Sequence, residues 1–378
     1  MLAAGAATAA TGVSVVEELA EFTALREEWN GLLVHSDADC IFLTWEWLHT
    51  WWKHLAGNRR LKILTVRIGG SLAGILPVCS RPFGLSWPAG DLWEFLGSGQ
   101  AGSDYLDVIA RRGQQERVCA ALAAHFESEQ HHLRWTNLSS HAAVSGIVAR
   151  LAERGFGVNR ASINICPYIP LTGHTWDSYL AQLGPEHRYQ FRRKWRQLHR
   201  DFSVCIEAVT DAAACREAVD LLIRLHRMRW QTRGGSDAFH LDGLVELHRE
   251  FASLALQRGW LRLFTMKLNG RPAASLYGFC YGRKFYYYQA GFDPAFEKNS
   301  VGLLLMAAAI QRAIDDGCSE FDMLHGDERY KSHWARESRE LIRYELYAPG
   351  LGGRLLHSAM GAAREYRRVV RRVLSNSQ

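Results

Sequence analysis

The chain repeats itself. Leu61–Gly74 (LKILTVRIGGSLAG) and Leu261–Ala274 (LRLFTMKLNGRPAA) align without gaps at an offset of 200 residues. Thr65 matches Thr265, Arg67 matches Lys267, Gly70 matches Gly270, and apolar residues stand at 61, 63, 64, 66 and 68 of both copies. Each segment alternates like a half-buried strand and runs into Gly69-Gly70 or Asn269-Gly270, dipeptides that accept the positive φ angles of a two-residue hairpin turn. Each also follows a helix-like stretch, Thr44–Leu55 and Leu241–Arg258. Matched context implies duplication of a whole domain. The length agrees, because 378 residues exceed the roughly 250–300 at which one hydrophobic core stops growing.

The second copy is the easier to read. Strands Ala273–Tyr281 and Phe285–Ala290 flank a turn at Gly282-Arg283-Lys284; the loop Gly291–Asn299 leads to a helix from Val301 to Asp316, and a strand follows at Glu320–Leu324. The first copy repeats this loosely: strands Leu92–Leu96 and Tyr105–Ile109, a helix near Gln114–Glu129, and a strand Leu133–Leu138. This order predicts an α+β, layered α/β fold. The expected division is a disordered Ala-rich leader 1–12, domains 13–165 and 166–349, a basic linking helix 185–200 in the second domain, and a basic amphipathic tail 350–378.

Composition narrows the class. Hydrophobic residues make up 48% and charged residues 22%, an ordinary globular balance. No apolar run reaches the roughly 18 residues of a membrane span. The eight cysteines never form C-x-x-C, which suits reduced thiols in the cytoplasm and neither a disulfide framework nor a metal site. The net charge is +6, of which residues 351–378 hold +5 (six arginines against Glu365). The body is nearly neutral, which argues against a DNA binder.

Along the helix expected at Pro185–Arg200 and just past it, Phe191, Trp195, Leu198 and Phe202 recur at helical spacing as a buried stripe. Arg188, Arg192, Arg196 and Arg200 stand four apart beside it. They are either a solvated face or a grip for phosphates through charge-assisted forks, with His226, Arg229 and Arg233 extending it. The crowded Trp45, Trp47, Trp51 and Trp52 read first as core.

Three segments together resemble the CelD/BcsL-type (BioF2-like) acetyltransferases, a branch of the GNAT fold related to the FemABX peptidyltransferases. They are Phe42–Leu48 (FLTWEWL); Arg188–Arg200 with Leu225–Trp230 (LHRMRW); and Gly291-Phe-Asp, Ser300-Val-Gly302, Phe321-Asp322 and Gly326–Lys331 (GDERYK) with Trp334. The likeness runs from about residue 14 to 349. It implies two tandem GNAT-like domains, an acyl-CoA such as acetyl-CoA as donor, no metal, and work on cell-envelope or exopolysaccharide material.

Chemistry is expected at two places. The turn Asn299, Ser300, Val301 and Gly302 opens a helix, where free N–H groups and the dipole favour an anion. The resemblance makes it the counterpart of a Gly-x-Gly/Ala diphosphate element, with Ser300 in place of the first glycine; an ordinary serine cap is the other reading. The second place is His325–Trp334. Acyl transfer needs a base, which Glu328, Asp327 or His325 can supply, and a donor for the developing oxyanion. The resemblance suggests Lys331 for that donor, and Tyr330 can protonate the leaving group. The two places are expected to form one pocket. Asp104, Tyr105 and Asp107 are read as facing a cleft between the domains, or as a structural turn.

The expected acceptor is a nucleotide-sugar, lipid-linked sugar or polysaccharide precursor. The tail stripe Leu355, Ala359, Ala362, Tyr366, Val370 and Val373, ringed by arginines, either lies on an anionic membrane, peripheral to the inner membrane, or docks on its own domain. Two other functions fit the sequence: Fem-like aminoacyl transfer from aminoacyl-tRNA, and a non-catalytic component of an exopolysaccharide complex.

Overall fold

A computed structural model of the chain describes residues 10–82, 91–231 and 238–362. Of the segment read as a leader, residues 1–9 lie outside this set, and Thr11 and Gly12 already belong to β1 (Thr11–Val16). The first half continues with α1 (Leu19–Ala24), α2 (Arg26–Leu33), α3 (Trp45–Leu55), β2 (Arg60–Leu61), β3 (Ile63–Ile68), β4 (Ser71–Leu76), β5 (Val78–Pro82), β6 (Asp91–Phe95), β7 (Ile109–Ala110), α4 (Gln115–Glu129), β8 (His132–Ser139) and α5 (Ser145–Glu153). Strand β9 (Gly157–Pro170) crosses into the second half, which holds α6 (Trp176–Gln182), α7 (Pro185–Asp201), β10 (Val204–Ala208), α8 (Ala212–Gln231), α9 (Asp242–Gln257), β11 (Leu261–Leu268), β12 (Arg271–Tyr281), β13 (Lys284–Phe292), α10 (Val301–Asp315), β14 (Glu320–Asp322) and β15 (Glu337–Tyr347). A helix over 351–362 follows. A boundary at residue 165 falls inside β9.

The duplication is visible in the backbone. Ile68 pairs with Ser71 and Leu268 with Arg271 across two-residue turns. The φ angles are 59° and 83° at Gly69 and Gly70, and 51° and 80° at Asn269 and Gly270, the mirror-image turn that matches strand twist. Both hairpins carry a bulge just before the turn, between Val66 and Arg67 and between Met266 and Lys267. Both take an antiparallel edge strand, β1 on β3 and β10 on β11.

The halves then diverge. In the second, β10-β11-β12-β13 is continuous; in the first, Lys62 and Pro77 break the hairpin, so β1-β3-β4-β7 forms a separate four-stranded sheet. Pro77 has no N–H to donate to a ladder. The remaining strands join one eleven-stranded sheet, β10-β11-β12-β13-β14-β9-β15-β8-β6-β5-β2, which runs through both halves. The last described strand, β15, lies between β9 and β8, so a late segment is inserted between two strands from the middle of the chain.

The FLTWEWL segment ties the halves together. Thr44 caps α3 by accepting the Trp47 N–H. The fully buried Glu46 carboxylate accepts from Arg26 and Asn30 of its own half and from Arg258 of the other. Without these three donors a buried carboxylate would cost several kcal/mol. Trp47 packs against Phe251, Phe279 and Tyr288 of the second half, and its indole N–H donates to Ser103 Oγ at 2.8 Å. Trp45 stacks on His49, and Trp51 is buried. These tryptophans are core, as their residue type favours.

Two local expectations are corrected. The strand expected over Tyr105–Ile109 is only the pair Ile109–Ala110, and Tyr105 sits at φ 60°. The stripe on α7 is only partly covered: Leu198 is buried, while Phe191, Trp195 and Phe202 are half-buried.

Candidate active site

Strand β13 carries the geometry that opens the site. It pairs in parallel with β14 only over Lys284–Tyr286, while its other edge stays on β12 as far as Phe292. Beyond Tyr286 the two neighbours splay apart. A bulge between Tyr277 and Gly278 of β12 leaves Tyr288 unopposed in the ladder, the kind of irregularity that re-aims a side chain beside a site. Helix α8 packs on β13 at Gly291, where a Cβ would fall 2.2 Å from the His226 backbone N. Only glycine permits this approach.

Two cavities flank the splay. The first, of about 200 Å³, lies between the sheet and the start of α10, lined by Ser275, Gly291, Ser300, Val301, Gly302, Leu303 and Arg229 among others. Ser300 adopts φ 56° and ψ 33°, and its side chain makes no capping bond, so the ordinary serine cap is not formed. First-turn N–H groups of a helix have no intrahelical acceptor, and no acidic residue occupies the first turn of α10. Arg229 lies over the rings of Phe292, Trp230 and Tyr330 at 5.2, 5.4 and 5.8 Å. Its Nε and the Ser275 hydroxyl are buried without hydrogen-bond partners in the described structure. Such donors are met by a polar ligand or by water, and a guanidinium beside a helix N-terminus suits an anion. Glu297 sits at the rim. Asn299, the remaining residue of the expected turn, ends the short 3-10 helix before Ser300.

The second cavity, of about 520 Å³, is built by both halves. Gln100, Asn137 and Asn164 come from the first half and the crossing strand; Gln289, Tyr288, His325, Glu328 and Lys331 come from the second. His248 at its wall is buried, with Nδ1 unpartnered, and burial pushes its pKa down to about 3. The expected single pocket is thus two cavities. Tyr287 and Tyr330 line both, and the Tyr330 hydroxyl donates to that of Tyr287 at 3.2 Å. The tyrosine pair is the partition between the α10 turn and the Lys331 turn.

At the second cavity His325 meets Asp104. The imidazole Nδ1 lies 2.9 Å from Oδ1, and the His325 backbone N–H donates to Oδ2 at 2.9 Å. Asp104 is fully buried, whereas the His325 side chain is 40% exposed, with no partner for Nε2 among the described residues. The hydrogen bond to Asp104 raises the imidazole pKa above its ordinary value, against the opposing effect of burial. The thiol of Cys166 also points at Asp104 Oδ2, at 3.7 Å. Ser103, held by Trp47, and Asn137, whose side-chain amide donates to the Ser103 carbonyl, fix the loop that carries Asp104.

Backbone strain concentrates here. Eight described non-glycine residues have positive φ, and five of them belong to the site: Tyr105 next to Asp104, Leu324 next to His325, and Asn137, Phe239 and Ser300 in the cavity walls. Each costs of order 1–3 kcal/mol and persists where the surroundings over-determine it. Tyr105 is pinned by its hydroxyl, which donates to Asp322 at 2.7 Å. Burial pushes Asp322 up to about 6, and Arg339 adds an ion pair from β15.

The other expected residues fall as follows. Lys331 is buried, and its ammonium donates to the carbonyls of Leu324 and His325 at 3.2 and 2.7 Å and pairs with Glu328 at 3.0 Å. It is the staple of the turn. Glu328 is half exposed, and Asp327 is exposed. Asp107 does not face the cleft: its carboxylate accepts the N–H groups of Val108, Ala143 and Val144 at the start of α5, and burial pushes it up to about 6. On α7, Arg192 and Arg196 are exposed and Arg188 is half-buried; Arg192 pairs with Asp177 at 3.4 Å. None of the three lines either cavity, and only Arg229 of that set enters the site. Arg233 lies outside the described residues. Sequence reading missed Ser275, Tyr287, Gln289, Asn137 and Asn164. Nothing in their spacing marks them, because the splay and the crossing strand bring them together.

A splayed parallel strand pair with a helix start beside it, set in a duplicated α/β arrangement, gives the class: a two-lobed fold of the acetyltransferase (GNAT) type. Residues 185–332 match the acetyltransferase (GNAT) domain family. The chain is similar in fold to FemX, at 12% identity and TM-score 0.64, covering 88% of this chain and 98% of that one. It is also similar to a conserved protein of unknown function from Bacteroides thetaiotaomicron VPI-5482 (12% identity, TM-score 0.55, 89% and 100% covered). A third similar structure is the C-terminal domain of a putative lysylphosphatidylglycerol synthetase from Agrobacterium fabrum (10% identity, TM-score 0.52, 87% and 92% covered). No curated protein matches the chain in sequence.

Proposed function

We propose that this protein transfers an acyl group from acyl-CoA, with acetyl-CoA the simplest donor, to an amine or hydroxyl of a sugar or amino sugar. In this reading the work belongs to cell-envelope or exopolysaccharide synthesis. The observation that carries the reading is the His325–Asp104 pair, presented to a cavity that adjoins the α10 turn. Asp104 holds the imidazole in the tautomer with Nδ1 protonated, leaving Nε2 to take the acceptor's proton. The donor's diphosphate lies at Ser300–Gly302 under Arg229, and its reactive end reaches the tyrosine partition, where Tyr330 returns a proton to the leaving thiolate. Amide side chains at Gln100, Asn137, Asn164 and Gln289 offer both donors and acceptors, which suits hydroxyl-rich acceptors. Calorimetric titration with acetyl-CoA tests the donor. Binding in the micromolar to submillimolar range supports the reading, and no heat at millimolar ligand sinks it.

A second reading is Fem-like transfer from aminoacyl-tRNA. The exposed Arg192, Arg193, Arg196 and Arg200 on α7 favour it, since they suit an RNA backbone. A salt-dependent gel shift with charged tRNA, in the absence of any acetyl-CoA binding, would select it.

A further inference from the structure

The helix over 351–362 has two faces with different fates. One is docked: Leu356 is buried, the His357 ring stacks on Tyr347 at 4.9 Å, and Gly353 lies so close to the Ala348 carbonyl that a Cβ would fall 1.8 Å from it. The other carries Leu351, 80% exposed, and Leu355, 61% exposed, the two most exposed large hydrophobic side chains among the described residues. Ala359 and Ala362 are also exposed, and at about 100° per residue the four share an arc of roughly 80°. Since the docking face is already satisfied, this stripe is not waiting for its own domain.

We propose that this outward face is a membrane-surface contact that seats in the headgroup region of an anionic bilayer. Charge selects that occupant over a second protein. The helix 351–362 contains Arg354 and no acidic residue, and residues 363–378 add five arginines against one glutamate. An apolar stripe on a helix that carries Arg354 and no acid, followed in sequence by five more arginines, suits a helix lying in the plane of the interface, and each basic residue near an anionic leaflet adds attraction that salt screens. No described helix is long and apolar enough to cross a membrane, so the contact is peripheral. It places the protein where a lipid-linked acceptor would be found, but it stands independently of the acyl-transfer reading.

The test is sedimentation of the full chain with vesicles of phosphatidylcholine alone or mixed with phosphatidylglycerol. Wild-type protein is expected to pellet with the anionic vesicles and to be released as salt rises. Leu351→Asp combined with Leu355→Asp is expected to lower the partition coefficient at least about tenfold. Both side chains are exposed, so the variant keeps its melting temperature. Failure of wild-type protein to bind anionic vesicles overturns the proposal. So does self-association on a sizing column that the same double substitution abolishes while vesicle binding is absent, since the face would then join two copies.

Discussion

Nδ1 of His325, at the end of β14 in the second half, lies 2.9 Å from Oδ1 of Asp104 in the first, 221 residues away in sequence. The pair exists only because the two halves share a sheet and a core. Its electrostatics set a sign. The raised imidazole pKa means that the charged pair stabilises the fold below the unfolded histidine pKa, and that this contribution is lost as pH rises through the folded value. A base must be neutral, so activity should run the other way.

For wild-type protein, kcat/KM should rise with pH through an apparent pKa above the ordinary histidine value. Asp104→Asn should lower that pKa and reduce kcat/KM about 100-fold or more, within the usual range for a positioned base. A pH–rate profile unmoved by the substitution would remove His325 from proton transfer.

Gly302→Asp sets a carboxylate against the first turn of α10, where Phe292 lies 3.4 Å from the added Cβ. Acetyl-CoA affinity should fall more than tenfold through like-charge repulsion, with the fold retained. Arg229→Met should weaken binding in the same direction. Calorimetry on both variants decides whether this turn holds the donor.

Lys331→Met should act on stability before chemistry. It strips the carbonyls of Leu324 and His325 of their donor and leaves Glu328 unpaired. The expected loss is about 1–3 kcal/mol, read as a lower urea midpoint, with His325 displaced and turnover reduced. A variant of unchanged stability and abolished turnover would instead place the ammonium in the reaction.

Gly291→Val should destabilise the fold by about 3 kcal/mol or more, because the added atoms overlap the α8 backbone at His226. Gly270→Val tests a different cost, the strain of φ 80°, for which about 1–2 kcal/mol is expected. Urea denaturation of the two variants separates the effects of close approach and turn geometry.

The periodic elements were legible in the sequence because they rest on local chemistry. Asn269-Gly270 and the period-2 strands of the hairpins need only near neighbours, and the match between residues 61–74 and 261–274 exposed the duplication directly. The places of Ser300–Gly302 at a helix start and of His325 just past a strand were legible for the same reason, since both are local features. Tertiary structure alone decided what those residues touch. It paired His325 with Asp104, committed Lys331 to carbonyls and Asp107 to α5, and set Tyr287 and Tyr330 between two cavities. Hydrogen-bond partners and burial depend on strand order, and an eleven-stranded sheet threaded by the C-terminal β15 joins residues that no spacing rule connects.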